Sequence, residues 1–330
     1  MRFRERLYRQ GEYGMEIRGR PLTCCSTRVN YASNLGYIHG LETMVCMATN
    51  GAMQIEGGNW QIFANMLNAS AASVHLNTTV SKISKQKSGT FELTTEDGQT
   101  ETFDEVVLAA PLQYTNLVID PAPKHVPDEI PYTKLYTTLF ASPHRPDPIP
   151  FGLDANASVP QYVLTTLPPT EIPGDNVGSP LFYSISIHNQ FVNLGARPPR
   201  LEYIYKIFAP SRIKAVDLSA LLGAEVSQDE ADYGNINGTV SWIHHKIWNS
   251  YPREYPRVTF DEIKLDDGLW YTSGIESFIS TMETSALSGK NVARLVRDEW
   301  LAGRKEAQSK AQVIAPFDFE AGAELWQEEL

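Results

Sequence analysis

Strand-forming runs of β-branched and aromatic residues dominate the middle of this 330-residue chain and constrain its fold most. Proline-rich connections at 143–150 and 168–180 separate the runs, and Ser211–Leu222 has a helical pattern. The runs with the composition of strands are Leu135–Phe140, Tyr162–Thr166, Phe182–Ile187 and Tyr203–Phe208. We therefore predict a large antiparallel sheet between residues 112 and 255.

A compact group of strand signals precedes this region. Two of its runs flank a Glu-Asp-Gly turn, and the last run leads into Ala109-Ala110-Pro111. The predicted strands are Ser73–Leu76, Thr79–Ile83, Thr90–Thr95, Glu101–Phe103 and Glu105–Leu108. A β-meander followed by a buried strand with small residues at its end is an organised unit of structure.

Two helical patterns flank these strand regions. The first runs from Trp60 to about Leu67 and has Ile62, Phe63, Met66 and Leu67 on one face. The second runs from about Thr281 to Trp300. Its predicted buried side comprises Ala286, Leu287, Ala293, Leu295, Val296 and Trp300.

The start of the second helix carries a candidate binding feature. Ser280 and Glu283 have the Ser-x-x-Glu spacing of a capping box, which leaves the N–H groups of Met282 and Thr284 for a ligand. A helix amino terminus has a partial positive charge and suits an anionic or electron-rich ligand. An ordinary capped helix is the alternative, and the pattern alone favours it.

The charge of the chain excludes several kinds of partner. It has 28 basic and 39 acidic residues and a net charge of -11, whereas nucleic acids and anionic membrane surfaces require basic patches. No apolar run approaches the roughly 18 residues of a membrane-spanning helix. The cysteines and histidines lack the spacing of metal ligands, so we assign no metal. His244 and His245, adjacent on a strand, face opposite ways and cannot form one site.

The sequence also bears on targeting and glycosylation. The charged amino terminus, MRFRERLYRQ, has no apolar stretch after it, so we expect no signal peptide within this chain. Four Asn-x-Ser/Thr sequons are candidate glycosylation sites, at Asn68, Asn77, Asn156 and Asn237. They are compatible with passage through the secretory pathway.

Four segments of the chain resemble one enzyme family. They are Arg28–Tyr31, Gly51–Asn59, Ser250–Pro256, and Gly274-Ile-Glu276 together with Met282–Ala286. In these segments the chain is similar to prenylcysteine oxidase, also called prenylcysteine lyase, over residues 28–302 in collinear order. The Glu-Gly-Gly-Asn and Gly-Ile-Glu…Met-Glu-x-Ser-Ala motifs are the discriminating ones.

The resemblance implies a fold and a reaction. The fold would be α+β, derived from an α/β fold, in the two-domain layout of FAD oxidoreductases. The activity would be oxidative cleavage of farnesyl- or geranylgeranyl-cysteine by molecular oxygen, which yields cysteine, an isoprenoid aldehyde and hydrogen peroxide. Family members work in lysosome- or vacuole-like compartments or are secreted.

The resemblance also implies contact residues for FAD and for a prenylated cysteine. No catalytic side chain is assigned, because the cofactor performs the hard step. The cofactor residues implied are Val80, Ala110, Pro111, Gly274, Ile275, Glu276, Met282, Glu283 and Thr284. The substrate residues implied are Gly57, Gly58, Asn59, Tyr251 and Tyr255. For the two tyrosines, ordinary packing of a proline-flanked loop is the alternative.

The family layout suggests the domain boundaries and shows one departure. We expect a lead-in and helical segment at 1–66, cofactor-side strands at 67–111, a substrate domain at 112–255, a cofactor-side strand and helix at 256–302, and a tail at 303–330. The family's Gly-x-Gly-x-x-Gly loop, which holds the FAD pyrophosphate, does not occur in this sequence.

That departure leaves several explanations open. We expect the βαβ segment to be missing, either from an incomplete gene product or in a shortened paralogue. Another amine-oxidase-like flavin oxidase and a non-catalytic protein that binds isoprenoid or lipid are the alternative functions.

Overall fold

The computed structural model describes residues 26–48, 53–166 and 181–314, with side chains described as far as residue 304. The helices are α1 (residues 26–31), α2 (Gly40–Met47), α3 (Trp60–Ser70), α4 (Ala215–Leu222), α5 (Gln228–Tyr233) and α6 (Met282–Ile314). The strands are β1 (Val80–Lys85), β2 (Phe91–Thr95), β3 (Thr100–Phe103), β4 (Val106–Leu108), β5 (Val118–Asp120), β6 (Tyr132–Ser142), β7 (Tyr162–Leu164), β8 (Ser184–Asn193), β9 (Arg200–Ala209), β10 (Trp242–Pro252), β11 (Lys264–Asp266) and β12 (Leu269–Tyr271).

The chain divides into two compact units, each assembled from separate segments. Unit 1 takes its described residues from Met1–Asn77, Asp128–Asp261 and Gly274–Thr281. Unit 2 takes its described residues from Thr78–Pro127, Glu262–Ser273 and Met282–Leu330. The mixture of helices with mainly antiparallel strands confirms the predicted α+β class.

Unit 1 is built around an antiparallel sheet with the strand order β10-β6-β9-β8-β7. On β9, Tyr205, Ile207 and Ala209 are fully buried, because alternate side chains of a strand point to the same face. The ring of Tyr205 stacks on Phe140 of β6 with 4.7 Å between centroids. Leu218 of α4 belongs to the same core. The prediction of a large antiparallel sheet is confirmed.

Unit 2 contains two smaller sheets, with the strand orders β3-β2-β1-β5 and β11-β12-β4. Ile83, Phe91 and Leu269 belong to its core. The two residues Asp267 and Gly268 connect β11 to β12, and Gly268 has a φ of +78°. A Cβ at this glycine would lie 2.8 Å from the Phe91 ring, so both the turn and the core require glycine there.

Helix α6 packs through a different face from the one predicted. Ser288 and Val292, four residues apart on one stripe, are its buried side chains within the described part, and Ser288 Oγ donates to the carbonyl of Thr272 at 3.1 Å. Leu287 is 62% exposed and Trp300 is also exposed, so the predicted buried side is wrong except at Val296, which is half-buried and follows Val292 on the same stripe. Small residues let a helix approach its neighbours closely, and hydrophobicity alone selected the wrong stripe.

Two further predictions concern the segment from Trp60 to Leu76. The predicted helix from Trp60 is confirmed as α3, but its apolar residues Ile62, Phe63, Met66 and Leu67 are exposed. The predicted strand Ser73–Leu76 is wrong, because these residues form no regular structure. Of the described helices, none is long and apolar enough to span a bilayer.

Candidate functional site

Two side chains of unit 1 hold the peptide groups of Ser280. The Tyr31 hydroxyl, from α1, donates to the Ser280 carbonyl at 2.7 Å. The Ser280 N–H donates to Glu42 Oε2, from α2, at 3.0 Å. A capping box would give this N–H to the side chain of Glu283. The predicted box is therefore wrong in this respect, because a carboxylate more than 200 residues away in the sequence accepts the bond.

A second carboxylate, that of Glu254, lies buried beyond the end of β10. The chain around it is held by two backbone bonds, from His39 N to Glu254 O at 2.6 Å and from Arg253 N to Pro131 O at 2.7 Å. The side chain of Glu254 is 2% exposed, and neither of its carboxylate oxygens accepts a hydrogen bond. Burial of an unpartnered carboxylate disfavours its charged form.

Glu254 therefore holds a proton at neutral pH. Burial raises its pKa from the ordinary 4.5 to about 10, and the nearby carboxylates of Glu42 and Glu276 raise the pKa further in the same direction. Burial also raises the pKa of Glu276, while the hydroxyl of Tyr132, which donates to its carboxylate, lowers it. Three acidic side chains thus share one electrostatic environment in unit 1.

The remaining ionisable groups of this cluster are held in their neutral forms. Burial and then Glu42 raise the pKa of the Cys46 thiol to about 12, so Cys46 is not a thiolate nucleophile. Burial and Glu42 also raise the pKa of the Tyr31 hydroxyl. The centre of the Tyr251 ring lies 5.6 Å from that of the Tyr31 ring, and Tyr251 packs against the buried cluster that contains Tyr31 and Cys46.

A buried guanidinium, that of Arg28, lies on α1 three residues before Tyr31. Its Nη1 donates to Asn34 Oδ1 at 2.5 Å and its Nη2 to Thr165 Oγ1 at 3.1 Å. Its Cζ also lies 5.5 Å from the centre of the Tyr183 ring. Segments 28–31 and 250–256, far apart in the sequence, meet through the rings of Tyr31 and Tyr251, and Glu276 of segment 274–276 lies near enough to raise the pKa of Glu254.

Comparison with known proteins decides the family. Residues 17–309 match the family model described as prenylcysteine lyase. The chain belongs to the prenylcysteine lyase family. The resemblance inferred from the residues is confirmed.

Curated relatives agree with this membership. Farnesylcysteine lyase from Arabidopsis thaliana is 29% identical over 288 residues, which are 86% of this chain and 50% of that protein. Prenylcysteine oxidase 1 from Homo sapiens is 28% identical over 301 residues, and that from Rattus norvegicus 27% over 300, in each case 83% of this chain and 52% of the relative. The chain spans about half the length of these relatives.

Among solved structures, the chain is similar to a double mutant of putrescine oxidase whose cofactor binding was redesigned. The TM-score is 0.46 and the sequence identity 11%, over 83% of this chain and 64% of that one. A triple mutant of putrescine oxidase has a TM-score of 0.40 and covers 73% of this chain and 53% of that one.

Two of the predicted cofactor residues of unit 2, Ala110 and Pro111, lie at one edge of its smaller sheet. Strands β4 and β12 are parallel, so their carboxyl ends share an edge, where open sheets of this kind bind cofactors. Ala110 and Pro111 follow β4, and the small side chain of Ala110 is exposed. In the same unit, Met282 in the first turn of α6 is 46% exposed. A small, exposed residue after β4 and an exposed helix amino terminus fit a planar, anionic cofactor.

The other predicted cofactor residues lie in strand β1, in helix α6 and in a 3-10 turn. Val80 begins β1 opposite Thr95, and Glu283 and Thr284 continue the first turn of α6. Gly274 and Ile275 form a 3-10 turn with Glu276 in unit 1. Their contact with a cofactor stays a prediction, and so do the domain boundaries.

The predicted substrate residues separate into two groups. Gly57 and Gly58 form a left-handed turn before α3, where Asn59 Oδ1 accepts from Ile55 N at 3.0 Å. Tyr251 lies in the carboxylate cluster, whereas Tyr255 is 41% exposed. The structure brings only Tyr251 to the cluster, and a substrate role for all five residues stays a prediction.

The four sequons stand on exposed positions, as oligosaccharide attachment requires. Asn68 lies on α3, Asn77 precedes β1, and Asn156 lies in the loop after residue 151. Asn237 is exposed, although its side chain accepts from Arg197 N at 2.9 Å. Their occupancy stays a prediction.

Sequence reasoning missed the two residues that define this site. Glu254 lies inside segment 250–256, in a run rich in proline and tyrosine, with Arg253 before it and Tyr255 after it. A carboxylate in such a setting was a signal that could have been followed. Glu42 lies on an ordinary amphipathic helix and carries no comparable signal.

Proposed function

We propose that this protein is an FAD-dependent thioether oxidase that cleaves S-prenylcysteine. The match to the prenylcysteine lyase family over residues 17–309 carries the proposal. Two relatives named for farnesylcysteine and prenylcysteine support the substrate class. The convergence of segments 28–31, 250–256 and 274–276 within unit 1 supports a site on this chain.

The proposed reaction balances with oxygen and water. S-prenylcysteine, O2 and water give cysteine, a prenyl aldehyde and hydrogen peroxide. The bond between sulfur and the allylic carbon breaks, the carbon is oxidised by two electrons, and O2 is reduced by two. When bound, FAD supplies the two-electron acceptor beside that carbon.

The residues of the chain would bind and orient the reactants. Ala110, Pro111, Met282, Glu283 and Thr284 would hold the cofactor in unit 2, with backbone donors favouring its negative charge. In unit 1 the buried cluster keeps Cys46 and Glu254 protonated. A neutral thiol is a poor nucleophile, so Cys46 does not form a covalent adduct with the substrate.

An absorption spectrum and a peroxide assay test this proposal. The purified protein should absorb light at about 450 nm, where an oxidised flavin absorbs. It should release peroxide from S-farnesylcysteine and not from putrescine. Peroxide from the amine alone would point to an amine oxidase and contradict the proposal.

A non-catalytic protein that binds isoprenoid is the second candidate. The exposed apolar face of α3, with Phe63 and Met66, favours it, because such a surface suits a lipid chain. A colourless protein that binds S-farnesylcysteine without peroxide release would support this candidate.

We also propose a lysosomal, vacuolar or secretory location. The exposed sequons support it. Protein from eukaryotic cells should shift to lower mass after treatment with an N-glycosidase, and an unchanged mass would contradict this location.

A further inference from the structure

We propose that Glu254, together with Glu42 and Glu276, forms the subsite for the α-ammonium group of the cysteinyl substrate. This inference rests on the proposed function, which supplies a substrate with one primary ammonium group. It assigns a binding role to a buried cluster whose acidic members have no cationic partner of their own.

The first argument is the missing partner of Glu254. Both of its carboxylate oxygens are buried and accept no hydrogen bond. The ion pairs of the described residues involve other carboxylates, such as Asp266, Glu202 and Asp232, and none includes Glu42, Glu254 or Glu276. An unsatisfied buried carboxyl group destabilises a fold, so its presence calls for a donor from outside the protein.

The second argument is charge complementarity. The carboxylates of Glu42 and Glu276 lie near enough to Glu254 to raise its pKa, so the negative potential around Glu254 favours a cation there. An ammonium has three N–H donors, enough to satisfy both oxygens of Glu254. Tyr31 lies near enough to Glu254 for the carboxylate to raise the pKa of its hydroxyl, and the Tyr251 ring packs beside that of Tyr31, so both rings can face a cation.

The third argument is the class of cation. The described His, Cys, Asp and Glu side chains form no group of three or more that could hold a metal ion. An organic cation needs donors and acceptors rather than a fixed coordination geometry. A primary ammonium at the end of an otherwise apolar ligand matches a carboxyl group that lies near Tyr31 and Cys46.

Binding should be accompanied by release of a proton. The groups around Glu254 are Glu42 and Cys46 on α2, Tyr31 on α1 and Glu276 on the 3-10 turn, while His39 contacts it through its backbone. Glu254 holds its proton in the free protein. When the ammonium arrives with its charge, the proton of Glu254 leaves to solvent and the carboxylate pairs with the ammonium.

We expect a ligand to reach Glu254 by displacement of the loop that follows it. Tyr255, Val258 and Phe260 of this loop are all exposed. The ring of Phe260 packs edge-on against that of Phe278 at 4.6 Å, and Arg257 pairs with Asp261 at 3.6 Å, so opening of this loop breaks only a small number of contacts. Its displacement would bring the carboxyl group of Glu254 to solvent.

Calorimetric titration with two ligands tests the subsite. The purified protein is titrated with S-farnesylcysteine and with S-farnesyl-3-mercaptopropionate, which lacks the amino group. Glu254→Gln should weaken binding of the first ligand by about tenfold to a hundredfold, the value of one charge-assisted hydrogen bond, and leave the second unchanged. Glu129→Gln, at an exposed position of the same unit, is the matched control and should bind like the wild type.

Buffers of different ionisation enthalpy provide a second readout. The wild type should release about one proton per S-farnesylcysteine bound, and Glu254→Gln none. Equal effects of the substitution on both ligands, or no effect on either, would overturn the subsite while the proposed function stands. Failure of the wild type to bind either ligand would overturn the subsite and the proposed function together.

Discussion

Replacement of Glu254 with glutamine should stabilise the protein at neutral pH. The pKa of Glu254 is about 10 in the folded state and 4.5 in an ordinary environment. Below pH 4.5 both states hold the proton, so folding bears no penalty. Above it the unfolded state loses the proton first, and each pH unit lowers the free energy of unfolding by about 1.4 kcal/mol. At pH 7 the loss reaches about 3 kcal/mol as an upper limit. Glutamine has no ionisable proton, so the variant does not suffer this loss of stability.

Urea unfolding at pH 4, 6 and 8, followed by circular dichroism, measures this effect. Wild type and Glu254→Gln should have equal stability at pH 4, and the variant should gain progressively as the pH rises. Glu129→Gln, on the surface of the same unit, should follow the wild type at every pH. If the variant is less stable than the wild type at pH 8, or if the difference in stability between them does not change with pH, Glu254 is not buried as a neutral acid. A residue whose replacement stabilises the fold but weakens ligand binding is one retained for function.

Three further substitutions test the architecture by urea unfolding. Tyr31→Phe removes the hydroxyl that donates to the Ser280 carbonyl and should lower the free energy of unfolding by about 1–2 kcal/mol. Tyr255→Phe, at an exposed ring, should change the free energy of unfolding little. Equal effects of the two substitutions would contradict the bond from Tyr31 to Ser280. Phe140→Ala empties a fully buried position and should cost about 3–5 kcal/mol, and a cost below 1 would mean that the core is not packed as described. Glu105→Ala leaves the buried Trp270 N–H, now bonded at 2.7 Å, without its acceptor and should cost about 1–3 kcal/mol, with the tryptophan fluorescence altered; an unchanged spectrum and stability would contradict this bond.

Local patterns predicted most of the strands and the helices α3, α4 and α6, but they placed a strand wrongly at Ser73–Leu76 and did not show how α6 is buried. Strand runs such as Tyr203–Phe208 were identified because alternation and composition are properties of a few neighbouring residues. On α6, hydrophobicity favoured the face with Leu287, but the structure buries Ser288 and Val292. A pattern shows which side of a helix is apolar, and only the neighbouring elements decide which side approaches them closely.

The candidate site shows the same division. Segments 28–31, 250–256 and 274–276 were identifiable as family features from their residues alone. Nothing in those segments indicated that Glu42 would accept the N–H of Ser280, because 238 positions separate the two residues along the chain. Side-chain chemistry therefore came from the sequence, whereas the partners of each group came from the tertiary structure.

By itself, the order of residues determined the class of fold, the large antiparallel sheet and membership of the prenylcysteine lyase family. Only the tertiary structure decided that Glu254 would be buried without a partner, with Glu42 and Glu276 beside it. The physical reason is that propensity and periodicity act over a few residues, whereas burial and electrostatic potential depend on every group that folding brings near.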